Sequence, residues 1–434
     1  MGDGNDTGHR PGRGPGCNPG NDQTQLQFER LQSTLNRAYR NVPFHRNRQN
    51  QLAAKTGQDP SILDSPADLA RLPFMTRRDL AEHYPYGLFA VPLRDIVRIH
   101  TAPGTGDRPT VTGYTRSDLS VWRAVVSAAL AAAGVGPEDI LQVSLDPGLA
   151  NWGRDYKEGA EAMDAAVAPN TPLSADKQLL VLRDYKVSTL VTTPSEAMSL
   201  ADAIFRSGEN PNAFSLRRMI LVGEPPDPEI RESLSERLHL ETWVHYGLSE
   251  VPGPAAAFEC QAHQGLHLQE DHFLAEIVDP ETGTVLDGEA EGELVLTTLS
   301  ARAFPLLRFR TGDRVRREME PCGCGRPGPR LVWLPERTDR LFNVNGVKVG
   351  GDQVAVHLEK ALGRAPDHRL FVGRAPDGKH RLELWIAVDD NLFSDEIKEL
   401  EREARAVRAA LREQLGISVR LRLRETGSLN APPP

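Results

Sequence analysis

The feature that most constrains the fold is a regular alternation of short apolar runs and longer amphipathic segments through the middle of the chain. The apolar runs have strand length, and the segments around them have helical spacing. Because strands joined through helices lie parallel, this order predicts an α/β fold with mostly parallel sheets covered by helices. Strands are predicted at Ile140–Ser144, Thr189–Thr193, Arg218–Gly223 and Glu241–Val244, and helices at Asp118–Ala133, Ala175–Tyr185, Pro194–Ser207 and Asp227–Leu238.

The segments on either side follow other patterns. Apolar residues at helical spacing predict a helix over Gln25–Ala54. Short strands with turns at Asp279–Gly283 and Asp287–Gly292 predict a small antiparallel or barrel-like unit within Phe273–Leu299. The last hundred residues predict a compact α+β module, with helices at Val354–Ala361 and Ser394–Leu415 and strands at Leu370–Gly373, Leu382–Val388 and Val419–Arg424.

These patterns divide the chain of 434 residues into three parts, since that length exceeds what one ordinary domain requires. Residues 1–22 are rich in Gly, Pro, Asn and Asp and lack apolar periodicity, so we expect a disordered tail. We predict a large domain over residues 23–336 and a small one over residues 337–434. The boundary falls near Arg337–Asp339.

Charge and composition argue against several classes of protein. A net charge of −9 opposes nucleic acid or an anionic membrane surface as the main partner. No apolar run approaches the ~20 residues of a membrane-spanning helix, and the first residues show no apolar signal segment. Four cysteines are too few for a secreted disulfide scaffold. We expect a cytoplasmic enzyme, either a monomer or a homodimer.

Three polar segments carry residues suited to a nucleotide. The Gly-rich run His100–Thr110 can bring backbone N–H groups, a hydroxyl and a cation to phosphate oxygens. In His245–Glu250, Tyr246 can stack on a base and Glu250 can bind Mg²⁺. In Pro305–Asp313 the final carboxylate suits the two hydroxyls of a ribose. Taken singly, the segments have ordinary alternatives: a surface turn, a turn with a buried tyrosine and a surface ion-pair cluster.

In this order and at these separations, the three segments resemble those of adenylate-forming enzymes, and the chain is similar to the phenylacetate–CoA ligase family of that superfamily. The runs Gly223–Pro226, Gly292–Leu299 and Arg337–Asp339 support the resemblance. It implies a large N-terminal AMP-binding domain with mostly parallel sheets and a small, mobile C-terminal domain. It also implies that ATP and Mg²⁺ convert a carboxylic acid into an acyl-adenylate with release of pyrophosphate. The small domain then rotates, and the acyl group passes to CoA, a carrier-protein thiol or an amine.

The resemblance assigns roles to individual residues. Glu250, Arg337 and Tyr246 are implied to be catalytic, with Glu250 also binding Mg²⁺, and Asp339 is implied to be the hinge. The implied ATP or AMP contacts are Gly104, Thr105 and Arg108 at the phosphates; Gly223, Glu224 and Pro225 beside adenine; Tyr246, Gly247 and Ser249 at adenine and the acyl carboxylate; Asp313 at the ribose; and Arg337 at the nucleotide.

The segment Pro147–Glu161 matches the acyl pocket of the family but departs from its aromatic, Gly-rich pattern. The resemblance implies that Trp152, Tyr156 and Lys157 line the substrate pocket together with Gly247. Trp152 stands where Gly is usual, and Lys157 and the residue after it replace a His and an aromatic. These charged positions predict a polar or amino-substituted aromatic acid rather than phenylacetate itself.

The cysteines suggest a metal site. Cys260, Cys322 and Cys324 can supply three thiolates, and an imidazole would complete a tetrahedral set for structural Zn²⁺. His267 is the preferred fourth ligand and His263 the alternative. Similar Cys and His positions occur in some proteins that resemble phenylacetate–CoA ligases. The ordinary alternative is two free thiols in a surface turn and an unrelated buried cysteine.

Other departures concern the catalytic machinery. Ala102 and Pro103 replace hydroxyl residues in the phosphate segment, and Arg108 replaces a Lys, so weaker phosphate binding is expected. The family places a Lys after the last strand, whereas the last Lys here is Lys398. A second candidate function follows: a homologue that binds nucleotide or acyl-adenylate without efficient adenylation. Lys348 could replace the missing cation, although an exposed strand position is the favoured interpretation of this residue.

Overall fold

The computed structural model describes residues 19–57, 63–105, 108–145, 149–168, 175–225, 227–251, 253–339, 341–344, 347–374, 380–388, 397–415, 417, 419–425 and 429. Within these ranges the strands form one 11-stranded sheet, one three-stranded sheet and two hairpins. No helix in the part of the chain so described has both the length and the apolar character needed to cross a membrane.

A hairpin and the large sheet account for the first thirteen strands. The hairpin pairs β1 (Arg98–Thr105) with β2 (Arg108–Tyr114). The large sheet contains β3 (Ile140–Ser144), β4 (Ala166–Val167), β5 (Thr189–Thr192), β6 (Arg218–Val222), β7 (Glu241–Tyr246), β8 (Ala257–Glu259), β9 (Leu266–Leu268), β10 (Phe273–Val278), β11 (Ala290–Thr298), β12 (Phe309–Glu318) and β13 (Arg330–Arg337).

The large sheet is parallel on one side and antiparallel on the other. Its order is β10-β11-β12-β13-β9-β8-β7-β6-β5-β3-β4. The four strands predicted from the apolar runs are present and pair in parallel, as predicted. The antiparallel unit predicted within Phe273–Leu299 is also present as β10 and β11, and β12, β13, β9 and β8 connect it edge to edge with the parallel strands.

Helices cover both faces of the parallel strands. One face packs against helices α4 and α5 through Leu130, Tyr156 and Val222, and the other packs against α6, α7 and α8 through residues such as Leu182 and Leu234. Four of these helices occupy the predicted positions to within a few residues: α4 (Arg116–Ala132), α6 (Ala175–Asp184), α7 (Pro194–Ser207) and α8 (Pro228–Leu238). The fifth, α5 (Ala150–Glu161), was not predicted.

The predicted N-terminal helix is two helices, α1 (Pro19–Asn41) and α2 (Pro43–Thr56), followed by the short α3 (Arg77–Glu82). The break falls at Val42, whose backbone is extended because it precedes a proline. Residues 19–22 of the predicted tail form the first turn of α1, so that part of the tail prediction is wrong. Residues 1–18 lie outside the described ranges.

The remaining elements share a separate apolar cluster. All its members lie between Phe342 and Leu423, and the fully buried ones include Val349, Leu384 and Leu411. The elements are the hairpin β14 (Leu341–Val344) and β15 (Val347–Gly350), α9 (Gly351–Leu362), β16 (His368–Arg374), β17 (His380–Val388), α10 (Ile397–Leu415) and β18 (Val419–Glu425). We call them the small unit, and the preceding elements the large unit.

Candidate functional site

Polar side chains converge where two neighbouring parallel strands end. The segment Gly223–Pro225 follows β6, and Gly247–Glu250 follows β7. Carboxyl ends of parallel strands are the usual location of ligands in open α/β sheets. From the antiparallel side, β12 brings Asp313 to the same place and β13 brings Arg337. Two of the three polar segments singled out in the sequence, His245–Glu250 and Pro305–Asp313, therefore supply parts of one site.

Asp313 is the centre of this site. Its side chain is 2% exposed and accepts a hydrogen bond of 2.8 Å from the Tyr246 hydroxyl. Arg337 donates to its other oxygen, and Lys348 Nζ lies 3.4 Å away. Although burial favours the neutral acid, Lys348, Arg337 and Arg77 lower the pKa of Asp313. Asp313 is thus an ionised, firmly oriented acceptor at neutral pH.

Arg337 connects Asp313 to the predicted hinge. Its Nε and Nη2 donate to the two oxygens of Asp339 at 2.8 and 2.7 Å, and Nη2 also donates to the Thr311 carbonyl at 3.0 Å. Every nitrogen of the guanidinium therefore has an acceptor. Although burial opposes it, Asp313 and Asp339 raise the pKa of Arg337. The last residues of the large unit are tied to the site by charge-assisted hydrogen bonds.

Arg77 is a site residue that the sequence analysis missed. Its Nε donates to Glu250 at 2.6 Å and its Nη1 to Asp339 at 2.9 Å. Although burial opposes it, Arg77 and Lys348 lower the pKa of Glu250, which is buried. The available signal was a Thr-x-x-Asp capping box, in which Thr76 and Asp79 fix the first turn of α3 and hence the position of Arg77.

Lys348 is not the exposed strand residue that the sequence favoured. Its side chain is only 16% exposed, because the β14–β15 hairpin of the small unit packs against the large unit. Burial lowers the pKa of Lys348 to about 8, against the opposing effect of Asp313. The alternation of residues along β15 could not show this, since the face that meets the large unit is decided by tertiary packing.

Two glycines of the site allow close backbone approach. A Cβ on Gly247 would lie 2.5 Å from the Pro254 carbonyl oxygen, and a Cβ on Gly312 would collide with Asp339. Gly312 also has a φ of +71°, which side chains disfavour. Tyr246 packs edge-on against Trp333, with ring centroids 4.8 Å apart. Its hydroxyl thus orients Asp313, and base stacking by Tyr246 remains a prediction.

The predicted adenine segment lies beside the small unit. Glu224 is buried and accepts a hydrogen bond of 2.5 Å from Ser195, while Pro225 is half-buried. The Gly223 carbonyl accepts a hydrogen bond of 2.7 Å from Asn343 of β14. Ser249 is half-buried on the loop after β7. The segment is therefore in contact with the hairpin that carries Lys348.

The predicted phosphate segment forms the end of the β1–β2 hairpin. Gly104 and Thr105 close β1, and Thr105 pairs with Arg108 at the start of β2. Residues 106 and 107 of the turn lie outside the described ranges. Arg108 is exposed and donates to the Ala81 carbonyl at 3.3 Å. The structure thus shows strand pairing up to the tip of this segment.

The predicted acyl-pocket residues divide between two faces of α5. Trp152 and Tyr156, four residues apart, are buried, and the Tyr156 hydroxyl forms a hydrogen bond of 2.9 Å with His245. Lys157 is half exposed and lies 3.7 Å from Glu161. Lys157 therefore lies on a different face of α5 from Tyr156, because successive residues of a helix are about 100° apart. Its assignment to the pocket stays a prediction.

Glu158, the residue after Lys157 on α5, is also paired with other side chains. Glu158 pairs with Arg98 of β1 and with Arg154, and Arg98 also pairs with the buried Asp155 at 3.0 Å. Burial raises the pKa of Asp155 to about 7 despite Arg98. The charges of α5 thus anchor the β1–β2 hairpin. They do not support the argument from charged positions for a polar substrate.

The predicted metal ligands converge. One ligand atom from each of Cys260, His267, Cys322 and Cys324 lies within 4.8 Å of every other. The Cys260 and Cys322 sulfurs are 3.6 Å apart, and Cys324 Sγ is 3.4 Å from His267 Nε2. Tetrahedral Zn²⁺ with bonds of about 2.0–2.3 Å requires separations of this size. His263 lies instead against Glu259 at 3.3 Å, which favours His267 as the fourth ligand.

Comparisons with known proteins identify similar sequences. A family model for AMP-binding enzymes matches residues 162–300. The curated phenylacetate–coenzyme A ligase of Thermus thermophilus is 37% identical over 410 residues, which cover 92% of this chain and 91% of that protein. A protein of the same name from Pseudomonas putida is 40% identical over 337 residues, or 77% and 75% of the two chains.

Solved structures show the same fold. The crystal structure of 2-hydroxyisobutyryl-CoA ligase with 2-HIB-AMP and CoA in the thioesterification state matches with a TM-score of 0.85, covering 95% of this chain and 88% of that chain at 24% identity. The same ligase in the postadenylation state with 2-HIB-AMP gives a TM-score of 0.68 over the same shares, at 23% identity. At these identities the likeness concerns the fold.

Proposed function

The chain belongs to the phenylacetate–CoA ligase family of AMP-forming ligases, which activate a carboxylic acid with ATP and transfer it to CoA, and we propose that its acid is aromatic and that the site around Asp313 serves both half-reactions. The observation that carries the proposal is the cluster of Glu250, Asp313 and Arg337 at the carboxyl ends of β6 and β7. Similarity over nine-tenths of the chain to a ligase favours an active enzyme over a non-adenylating homologue.

The residues of the site suit the two steps. Ionised Asp313, held by Tyr246 and Arg337, would accept hydrogen bonds from the ribose hydroxyls. The acid's carboxylate oxygen attacks the α-phosphorus and pyrophosphate leaves; a thiol then attacks the acyl carbon and AMP leaves. Positioning and neutralisation of charge supply the catalysis, so no protein nucleophile is required. Glu250, buried and ionised, would hold Mg²⁺, which when bound neutralises phosphate charge.

We infer an aromatic acid from the relatives' names and from the large side chains of α5. Trp152 is 5% exposed and packs in the cluster that contains Tyr156 and Trp243. An indole at a position where the family has Gly should leave room for a smaller or differently shaped acid than phenylacetate. An amino or other polar substituent on the acid lacks support, since Lys157 and Glu158 pair with side chains outside this cluster.

A pyrophosphate-release assay with ATP, Mg²⁺ and a panel of aromatic acids tests the proposal. We expect release that depends on the acid, and formation of a CoA thioester of matching mass. Glu250→Gln should reduce release at least tenfold, because a neutral amide holds Mg²⁺ weakly. Glu336→Gln, at an exposed position of β13, is the matched control. ATP binding without release for every acid tested would support the non-adenylating alternative instead.

We propose that Cys260, His267, Cys322 and Cys324 bind a structural Zn²⁺. Two backbone N–H groups support the thiolates: those of Ala262 and Arg326 lie 3.4 and 3.5 Å from Cys260 and Cys324 sulfurs. Burial and the adjacent thiols raise the pKa of Cys260 to about 11, so three thiolates at this spacing need a cation. The ion would join the loop before β13 to the β8–β9 turn.

Metal analysis of the purified protein tests the zinc proposal. We expect about one equivalent of zinc per chain, as four N and S ligands form a closed structural site. Cys322→Ser should lower the zinc content and the Tm. Cys17→Ser is the matched control, since Cys17 is the cysteine of the chain that the proposed ligand set does not include. An unchanged zinc content in Cys322→Ser would rule out this ligand set.

A further inference from the structure

Resting on the proposed function, we propose that Arg77 is a further catalytic residue: its guanidinium binds an α-phosphate oxygen during activation of the acid. Arg77 is the first residue of α3, a helix that precedes all strands of the large unit. No motif of the sequence analysis includes it. The structure nevertheless places it against both Glu250 and Asp339.

Among the described residues, the hydrogen bonds of Arg77 leave one of its three nitrogens without a partner. Its Nε and Nη1 bond Glu250 and Asp339, whereas its buried Nη2 has no partner within the described part of the chain. The side chain is 12% exposed. A buried charged group with an unmet donor costs free energy, typically on the order of 1–3 kcal/mol. A ligand that presents an oxygen here would remove that cost.

Arg77 differs from the other two cations of the site. Arg337 has acceptors for all its nitrogens. Lys348 follows Asp339 in the chain, so it would leave the site whenever the small unit rotates. Arg77 belongs to the large unit, where the Thr76 capping box fixes its turn. It is therefore the cation with both a free donor and a position that a rotation would not change.

The local charges also leave room for a phosphate. Without ligand, three cations balance three carboxylates: Arg77, Arg337 and Lys348 face Glu250, Asp313 and Asp339. Once Glu250 serves Mg²⁺, the charge of Arg77 is no longer neutralised by that carboxylate. A cavity of about 500 Å³ borders Arg77, Gly312 and Asp339, which is within the size range of small-molecule sites.

The chemistry of the step fits a cation that exchanges no proton. The acid's carboxylate oxygen forms a bond to the α-phosphorus while the bond from phosphorus to the pyrophosphate oxygen breaks. The bonding pair leaves with pyrophosphate, so negative charge increases on the oxygens around phosphorus. A planar guanidinium stays charged throughout and offers a fixed donor to such an oxygen.

Arg77→Gln separates the two half-reactions. We expect ATP–pyrophosphate exchange, at saturating ATP and acid, to fall at least 100-fold. Transfer to CoA from the chemically prepared adenylate of the acid that the panel identifies should fall no more than fivefold, because Arg337 still holds Asp339. Arg77→Lys keeps the positive charge but lacks the planar guanidinium. Its exchange rate should be at least tenfold higher than that of Arg77→Gln. Arg94→Gln, at an exposed position outside this cavity, should stay within twofold in both assays.

The outcomes distinguish this inference from the proposed function. Exchange in the wild type with any aromatic acid establishes the ligase activity whatever Arg77 does. An Arg77→Gln exchange rate within threefold of the wild type overturns the role of Arg77. An equal fall in both half-reactions, with a lowered Tm and no recovery in Arg77→Lys, assigns Arg77 a structural role and also overturns the inference.

Discussion

At the scale of single residues, Lys348 shows how packing changes the chemistry of a side chain. Its amine lies 3.4 Å from Asp313, and burial lowers its pKa to about 8 from an ordinary value of 10.5. Burial disfavours the charged form more than the carboxylate favours it. The residue is therefore a cation at neutral pH that becomes neutral in mildly alkaline solution.

This shift predicts a specific dependence of stability on pH. Between about pH 8 and 10.5 the folded protein binds fewer protons at Lys348 than the unfolded chain does. Stability rises with pH wherever the unfolded state binds more protons, so Lys348 makes the free energy of unfolding increase across this window. From pH 8 to pH 10, wild type should gain on the order of 2 kcal/mol relative to Lys348→Met. Urea unfolding of both proteins at pH 8, 9 and 10 measures the difference.

Lys348→Arg provides the control for this prediction. An arginine keeps its charge from pH 8 to pH 10, so the free energy of unfolding of this variant should also lack the increase with pH. The variant nevertheless retains a cation beside Asp313. A difference between wild type and Lys348→Met that stays constant from pH 8 to 10 would contradict a lowered pKa.

At the scale of elements, the contact between α4 and α5 depends on one glycine. A Cβ on Gly159 would lie 2.6 Å from Val126 Cγ1 and 3.3 Å from the Ser127 backbone nitrogen. The Ser127 hydroxyl donates to the Gly159 carbonyl at 2.8 Å. Because Val126 is stiff in a helix, it cannot move aside easily. The glycine thus sets the distance between the helix with Trp152 and its neighbour.

Gly159→Ala should destabilise the protein even though alanine favours helix. The helix-propensity gain is about 1 kcal/mol, whereas overpacking a core contact costs about 1–3 kcal/mol. We expect an overpacking cost in the upper part of that range, since a backbone atom and a stiff side chain both oppose the methyl group. The free energy of unfolding should therefore fall by about 1–2 kcal/mol. Thermal unfolding measures it.

A matched glycine elsewhere in the large unit tests the explanation. A Cβ on Gly136 would meet no atom within 4 Å. Gly136→Ala should leave the Tm unchanged or raise it slightly, because it restricts the unfolded chain. If Gly159→Ala and Gly136→Ala gave the same Tm, the close contact with α4 would not be limiting.

At the scale of the whole molecule, the two units meet at the site. Asp339 accepts hydrogen bonds from Arg77 and Arg337, while Asn343 and Lys348 of the small unit reach Gly223 and Asp313. At equal coverage, the TM-score is 0.85 with the thioesterification state of 2-hydroxyisobutyryl-CoA ligase and 0.68 with its postadenylation state. The arrangement of the units thus matches that of the thioesterification state more closely than that of the postadenylation state. A hinge at Asp339 remains a prediction.

Asp339→Ala should impair the second half-reaction more than the first. The change removes the acceptor for two arginines that hold the small unit against the site. Transfer to CoA from the supplied adenylate of the acid that the panel identifies should fall at least tenfold, and ATP–pyrophosphate exchange should stay within threefold. Glu336→Ala, three residues earlier and exposed, should change neither rate. A larger fall in exchange than in transfer would contradict a hinge role for Asp339.

The sequence by itself determined the order of elements and the chemical types at the site. Alternating apolar runs specify the parallel strands, because periodicity and the length of each run are local properties. Asp313 and the four Cys and His residues were identified for the same reason, since the types and spacing of ligands can be seen along the chain, whereas Arg337 was implied by the resemblance to the family. Their convergence in space agrees with those predictions.

Only the tertiary structure decided which side chains face the site. Arg77 reaches Glu250 across 173 positions of the chain, Lys348 is buried by contact between the units, and Lys157 turns away from Tyr156. None of these outcomes follows from local spacing, because each depends on which surfaces of distant elements pack together. Burial then sets the pKa of each group, so the charge state of the site is also a property of the folded molecule.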